Sequence, residues 1–127
     1  KMGMPWFKAQ ALAKRHKMIA FSSNYTLYAD MSNRVMKILS EFSPNQEIYS
    51  IDECFLDLTG FQHRNLTEHG QHIRATVKKL VGLPVCVGIG TSKTLAKLAN
   101  HIAKKRPAFE GVFDLNEKKL IYAPPFC

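Results

Sequence analysis

Residues 47–58 of the 127-residue chain read Glu-Ile-Tyr-Ser-Ile-Asp-Glu-Cys-Phe-Leu-Asp-Leu, and they carry the strongest signal for the sheet. Its β-branched and aromatic residues favour strands, and Gly60 ends the run. Because twelve residues are long for one strand, we predict two strands that meet near Asp52 and Glu53. The sheet should therefore include a hairpin with two adjacent carboxylates at its turn.

The segment before this hairpin shows mainly helical patterns. Apolar residues at spacings of three and four predict a helix over residues 27–42, with an apolar stripe that includes Tyr28. Pro5 introduces a shorter helix over residues 6–15, and residues 18–21 are a strand candidate. Helices should therefore precede the hairpin and pack against it.

After the hairpin, helices and strands alternate. The predicted elements are, in order, a helix that follows Asn65 with Leu80 on its apolar stripe, a buried strand over 84–89, a helix over 91–105 with Leu98 on its apolar face, and a short strand over 111–115. This order predicts one α/β domain, a sheet with helices on at least one face.

Charge is unevenly distributed along this basic chain, whose formal net charge is +8. Residues 1–29 and 93–106 each carry five basic side chains and no acid, whereas residues 38–63 carry five acids and no Lys or Arg. Such a distribution suits a polyanionic partner and a cation site. Runs of like charge are also common on solvated faces, so charge alone leaves a binding role open.

Composition argues against several other classes of protein. The apolar runs are too short to span a bilayer, and the 46% apolar and 22% charged residues are ordinary for a globular chain. The three scattered cysteines argue against a disulfide framework. The sequence has no Cys-x-x-Cys pair that would indicate a zinc site. We therefore expect a cytoplasmic, reduced protein without membrane contact.

The adjacent acids Asp52 and Glu53 are the first candidate site. Carboxylates inside an apolar segment are costly to bury unless they are paired or metal-bound, and hard cations such as Mg²⁺ prefer oxygen ligands. Neighbouring residues of a regular strand point to opposite faces, so the two acids can converge only if a turn or bulge intervenes. The alternative is an ordinary polar hairpin turn.

Residues 86–94 read Cys-Val-Gly-Ile-Gly-Thr-Ser-Lys-Thr, a strand that enters a glycine pair and then a helix. The free N–H groups of such a helix can bind an anion, although the spacing matches neither a P-loop nor a dinucleotide fingerprint. Lys93 lies in the first helical turn, where a nearby phosphate would relieve its opposition to the helix dipole. The alternative is a glycine turn that only packs the helix on the sheet.

A row of lysines, at spacings of four and seven residues, follows one side of this helix: Lys93, Lys97 and Lys104. Lysines near a helix C-terminus complement the dipole, which explains Lys104 without a ligand. The dipole does not explain Lys93 at the opposite end. The row therefore favours contact with phosphate.

Five ordered motifs resemble the Y-family (translesion) DNA polymerases, in particular the UmuC branch that includes the catalytic subunit of bacterial DNA polymerase V. Residues 50–57 resemble the family's Ser-Ile-Asp-Glu-Ala-aromatic-x-Asp motif, and residues 88–99 resemble its lysine-bearing segment. The similarity covers roughly residues 2–115. It implies an α/β fold of the α+β type, a polymerase palm-type mixed sheet packed with helices, plus a remnant of the fingers.

The resemblance also implies roles for individual residues. Asp52 would be a catalytic ligand that bridges two Mg²⁺ ions, and Glu53 would lie near the metal at the primer 3′-hydroxyl. Ser50 would lie close to the primer end, and Lys104 would bind the incoming triphosphate. Lys93 and Lys97 would lie near phosphates, and the resemblance implies no more specific role for them.

The family pattern is incomplete in this chain. The family has a further metal-binding Asp in its first strand, but this sequence has no acid before Asp30. The upstream steric gate and the Tyr-x-x-Arg triphosphate motif are also missing, and a thumb and a little finger would follow. We therefore expect the end of the fingers over residues 1–25, an incomplete palm without its first strand over 26–122, and the start of a linker towards the thumb over 123–127.

The leading hypothesis is a fragment of an error-prone polymerase of the SOS response. The intact protein would act on damaged primer-template DNA and deoxynucleoside triphosphates, with two Mg²⁺ ions and a UmuD-type partner, whereas the fragment should be inactive. The alternatives are a palm-fold nucleotidyl cyclase and a non-catalytic module that binds DNA or a partner protein.

Overall fold

The computed structural model describes residues 3–61, 63–115 and 120–123, the last of these by backbone only. Within these residues, the helices are α1 (Trp6–Arg15), α2 (Tyr25–Leu39), α3 (Leu66–Val81) and α4 (Lys93–Lys105). The strands are β1 (Gln46–Ser50), β2 (Glu53–Asp57), β3 (Val87–Ile89), β4 (Val112–Asp114) and β5 (Leu120–Ala123). Short 3-10 turns follow α2 and α4, at Ser40–Phe42 and Pro107–Phe109.

The described strands form one mixed sheet in the order β1-β2-β5-β3-β4. Strands β3 and β4 are parallel, and the other neighbours are antiparallel. The predicted α/β sheet and the hairpin that turns near Asp52 are confirmed. The short strand over 111–115 is confirmed as β4, but it is followed by β5, which lies in the middle of the sheet.

Helices cover both faces of this sheet. In β3, Val87 faces α3, since a Cβ added at Gly70 would lie 3.3 Å from its Cγ1. The next residue, Gly88, faces α4, and an added Cβ there would overlap the backbone of Ala96 and Asn100. Because successive strand residues point to opposite faces, α3 and α4 lie on opposite sides of the sheet.

The main core lies between the sheet and the helices α2 and α3. Its largest fully buried side chains include Val35, Leu39, Leu56, Ile73, Val77 and Ile89. Each such side chain contributes about 1.5–3 kcal/mol relative to an exposed position. On the other face, Phe55 packs against Ala96 of α4. The hairpin is therefore held between two layers of helix.

Capping side chains fix where three of the helices begin. Asn24, Asn65 and Ser92 each accept a hydrogen bond from the backbone N–H three residues further along. Because of these caps, α2 begins two residues earlier than predicted and α4 begins at Lys93 rather than at Thr91. The predicted end of the helix at residue 42 is a 3-10 turn that continues α2.

The strand expected at residues 18–21 is wrong. This segment lies outside helices and strands, and Met18, Ile19 and Phe21 are strongly exposed. A short apolar run becomes a strand only where a sheet edge pairs with it, and the sheet described here does not include these residues. The pattern therefore marked an exposed apolar segment.

The predicted apolar stripes of α2, α3 and α4 each reach the core, but each also includes a residue that does not. Tyr28, Leu80 and Leu98 are exposed rather than buried. In α4 the buried residues are Asn100 and three alanines, among them Ala99 of the predicted face and Ala96 beside it. The glycines of the opposing strand leave room only for short side chains, so the larger leucine turns outward.

Two further expectations concern the cysteines and the chain end. Cys54 is a free, buried thiol, and burial raises its pKa to about 11. No helix in the described part of the chain is long and apolar enough to cross a membrane. The linker expected over 123–127 lies outside the described residues, except for Ala123 at the end of β5.

Candidate active site

The β1–β2 turn brings the two adjacent acids to a common hydroxyl. Ser50 Oγ donates a hydrogen bond to Asp52 Oδ1 at 2.8 Å and lies 3.5 Å from Glu53 Oε2. The strand register shifts between Ile48 and Ser50, so regular alternation is interrupted just before the turn. The irregularity that convergence requires is therefore present, and both carboxylates lie near one serine.

Two buried serines tie the hairpin to its surroundings. Ser32 of α2 donates to the carbonyl of Ile51 at the turn. At the open end, Ser43 donates to the carbonyls of Asn45 and Asp57. Sequence reasoning missed both serines. The available signal for Ser32 was its position on the buried side of a helix, where a hydroxyl needs a partner.

Helix α4 places Lys97 over the turn. Its Nζ lies 3.6 Å from Glu53 Oε2 and 4.5 Å from the centre of the Tyr49 ring. The Glu53 side chain is 25% exposed and that of Lys97 is 41% exposed. The ammonium therefore contacts both a carboxylate and an aromatic face at the edge of the site.

Lys93 makes the equivalent contacts one helical turn earlier. It forms an ion pair with Glu47 and lies 5.5 Å from the centre of the Phe55 ring. Four helical residues rise about 6 Å and two strand residues about 6.6 Å, so lysines four apart match alternate strand positions. This match was the signal for the Glu47 pair, which sequence reasoning missed.

Lys104 is not part of this contact. It is exposed in the last turn of α4, seven residues and about 10 Å of helical rise beyond Lys97. The structure therefore brings Lys93 and Lys97 to the hairpin and leaves Lys104 at the other end of the helix. A ligand in contact with both Glu53 and Lys104 would have to span that distance.

The glycine pair has a packing role. A Cβ added at Gly88 would overlap the backbone of α4, and one added at Gly90 would lie 2.7 Å from the backbone N of Ala96. At both glycines an added Cβ would come closer to α4 than real Cβ atoms come to their neighbours. These approaches support the packing alternative for the glycines, while anion binding at the α4 N-terminus stays a prediction.

The turn fits part of a divalent-cation site. Two carboxylates and a hydroxyl are oxygen donors of the kind that Mg²⁺ prefers, with water and phosphate as its other usual ligands. Among the described residues, no group of three or more His, Cys, Asp and Glu side chains is arranged to hold a metal ion. The described turn alone therefore provides an incomplete site.

Comparisons with known proteins identify the class to which this fold and hairpin belong. Residues 1–101 match the model of the IMS: impB/mucB/samB family, so the chain belongs to this family. UmuC of Salmonella typhimurium is 57% identical over 116 residues, which cover 90% of this chain and 28% of UmuC. MucB of Escherichia coli is 43% identical over 130 residues, 98% of this chain and 31% of MucB.

Proteins whose names identify them as DNA polymerases are also similar to this chain. DNA polymerase IV of Dehalococcoides mccartyi (strain CBDB1) is 36% identical over 104 residues, 80% of this chain and 26% of that protein. The insertion ternary complex of Dbh DNA polymerase superposes with a TM-score of 0.75 at 29% identity, over 91% of this chain and 33% of that chain. The resemblance to Y-family polymerases and the expected fold are confirmed. The chain spans under a third of the length of these curated relatives.

Proposed function

We propose that this chain is part of an error-prone, template-directed DNA polymerase of the SOS response. The observation that carries the proposal is the β1–β2 turn, where Asp52 and Glu53 converge beside Ser50 in a chain of the impB/mucB/samB family. Carboxylates at such a turn suit the binding of divalent ions, and the adjoining lysines suit a phosphate-bearing substrate. The fragment alone would be inactive.

The proposal assigns a role to each region. Residues 1–25 would form the end of the fingers, 26–122 an incomplete palm and 123–127 the start of a linker towards the thumb. The exposure of Trp6 and Phe7 on α1 agrees with a segment that other parts of a larger protein cover. These boundaries follow the family resemblance.

In the proposed mechanism, Asp52 and Glu53 would provide part of a site for two Mg²⁺ ions. These ions would supply charge stabilisation as the primer 3′-oxygen bonds to the α-phosphate and pyrophosphate leaves. Ser50 would orient the Asp52 carboxylate through its hydrogen bond and lie close to the primer end. Lys104 would bind the triphosphate. The residues that would lie near other phosphates are Lys93 and Lys97.

The proposed substrates are damaged primer-template DNA and deoxynucleoside triphosphates. The Dbh relative was solved as an insertion ternary complex, and other relatives are named as DNA polymerases, which supports this class of substrate. A UmuD-type partner and a cytoplasmic location are proposed from the family resemblance. The UmuD-type partner would bind the intact protein.

Primer extension tests the proposal. The proteins compared are the chain alone, a chimera in which it replaces the matching segment of Salmonella typhimurium UmuC, and the Asp52→Asn chimera. We expect no extension by the chain alone, extension by the chimera with its partner proteins, and a loss of about 10²–10³-fold on Asp52→Asn. Glu41→Gln is the matched control, because Glu41 is exposed and lies away from the turn.

Several results would contradict the proposal or part of it. Full extension by the Asp52→Asn chimera would remove Asp52 from the chemistry. A chimera that extends no primer, and that binds DNA equally well with Asp52 or Asn at this position, would favour the non-catalytic module. Cyclic nucleotide formed by the chimera without primer would favour the cyclase. Extension by the chain alone would show that the fragment is a complete catalytic unit.

A further inference from the structure

We propose that Lys97 is a built-in counter-cation, whose ammonium occupies the Glu53 carboxylate until a divalent ion displaces it. The proposal rests on the proposed metal site and adds a means of regulating it. Two cations, the Lys97 ammonium and a divalent ion from solution, would then exchange at the Glu53 carboxylate. Removing the lysine should tighten metal binding.

The geometry places the ammonium in competition with a metal ion. Lys97 Nζ lies 3.6 Å from Glu53 Oε2, and the Glu53 side chain is only 25% exposed. Reduced contact with water strengthens the attraction between these charges and also the repulsion that a second cation would meet there. A divalent ion at Glu53 must therefore displace or repel Lys97.

The contact with Tyr49 gives the displaced lysine a second place to bind. Its Nζ lies 4.5 Å from the centre of the Tyr49 ring, a distance at which an aromatic face attracts an ammonium. Tyr49 precedes Ser50, which pairs with Glu53 across the hairpin. The lysine can thus leave the carboxylate through a small movement of an exposed side chain, without any change in the fold.

Lys93 supplies a matched comparison within the same helix. It also pairs with a glutamate and lies over an aromatic ring, one turn before Lys97. Its partner Glu47 lies within β1, away from the turn, and both side chains are about half exposed. Lys97→Met and Lys93→Met remove the same charge from one helix face, so a difference between them reports the contact with Glu53.

Titration of the 127-residue chain with Mn²⁺, followed by electron paramagnetic resonance of the free ion, tests the proposal. We expect Lys97→Met to tighten Mn²⁺ binding by roughly three- to tenfold, and Lys93→Met to tighten it by less than about twofold. Both lysines are exposed enough for the variants to fold, which circular dichroism checks. Asp52→Asn should weaken binding in every background.

A second measurement follows the lysine itself. In an NMR titration with Mg²⁺, the side-chain resonances of Lys97 should shift as the ammonium leaves Glu53, with the same midpoint as the amides of residues 50–53. The resonances of Lys93 should shift much less. These signals do not depend on polymerase activity, so they separate displacement of the lysine from a general change in charge.

Each outcome is decisive. If the wild type binds Mn²⁺ at the turn and Lys97→Met binds no more tightly than Lys93→Met, the proposed role of Lys97 is contradicted. The proposed metal site then stands. Binding detected only in Lys97→Met would support displacement most strongly. If neither the wild type nor any variant binds at the turn, both the metal site and the counter-cation are overturned.

Discussion

The two basic tracts of this chain are alike in sequence and different in structure. Residues 1–29 and 93–106 each carry five basic side chains and no acid. In the second tract, Lys93 and Lys97 contact acids of the hairpin. In the first, the basic side chains described on α1 and after it stay exposed. A formal charge therefore becomes available to a partner only where the fold has not already paired it.

The same two regions differ in how they use apolar residues. Helix α4 buries small side chains, such as Ala96 and Ala99, because β3 approaches it closely. Helix α1 leaves Trp6 and Phe7 exposed, at 52% and 71%. Close approach of the backbones, rather than the size of the apolar side chains, thus decides which helix is fixed to the sheet.

The largest expected effect breaks the packing of α4. Gly88→Ala places a Cβ against the backbone of Ala96 and Asn100, which cannot move aside cheaply, so we expect a loss of about 3 kcal/mol in unfolding free energy. Trp6→Ala on α1 should change it by less than about 0.5 kcal/mol. Urea unfolding measures both, and equal midpoints for the two variants would contradict the comparison.

Nucleic-acid binding by the chain alone gives the next largest effect. We expect weak, sequence-independent binding with a log–log salt slope of about −0.9 per phosphate contact on duplex DNA. Neutralising Lys14 and Lys17 with glutamine should reduce the slope by about 1–2. The same change at Lys93 and Lys97 should reduce it less, because acids of the hairpin already pair with these lysines.

Fluorescence anisotropy with labelled primer-template at rising salt measures these slopes. The paired design keeps the number of removed charges equal between the two tracts. A larger loss from the α4 pair would show that DNA displaces the hairpin acids, and an unchanged affinity from low to high salt would exclude backbone binding altogether.

A smaller effect distinguishes the two ion pairs of α4. A double-mutant cycle between Lys97 and Glu53 should give a coupling of about 0.2–1 kcal/mol, because both side chains are partly exposed. The coupling between Lys93 and Glu47 should be weaker, since Glu47 is 53% exposed against 25% for Glu53. Thermal unfolding at low and at 1 M salt checks this, because salt screens exposed pairs.

The smallest effect comes from α3, outside both tracts. Burial lowers the pKa of His69 below its usual value of 6.5, with further lowering by Arg64 and His72. The unfolded chain therefore takes up the proton first, and stability should fall as the pH drops below about 6.5. His69→Phe should reduce this dependence in urea titrations at pH 7.5 and 5.5. The same dependence in the variant would assign it to other groups.

The hairpin was predictable because its signals are local. Turn and strand residues alternate around Asp52 within twelve positions, and the caps Asn24, Asn65 and Ser92 stand next to the helices they begin. The convergence of Asp52 and Glu53 was not decided by spacing, since it depends on the register shift before the turn. The acids and lysines themselves could be proposed as site residues, because carboxylates suit metal ions and lysines suit phosphate.

Contacts between distant segments were not predictable in this way. The pair of Lys93 with Glu47 joins residues 46 positions apart, and the exposure of Leu98 depends on glycines of another strand. The position of β5 between β2 and β3 is likewise a property of the whole sheet. Local periodicity identifies each element but not its neighbours, so these features required the three-dimensional arrangement.

The buried thiol of Cys54 makes the motion of the β1–β2 hairpin measurable. Cys54 follows Glu53 in β2, is fully buried, and accepts a hydrogen bond from Gln46 Nε2 at 3.7 Å. With its pKa raised to about 11, little reactive thiolate exists at neutral pH while the strand is packed. Alkylation of this sulfur must therefore wait for β2 to leave the core. Its rate reports how often the strand that carries Glu53 opens, in a protein that needs no added probe.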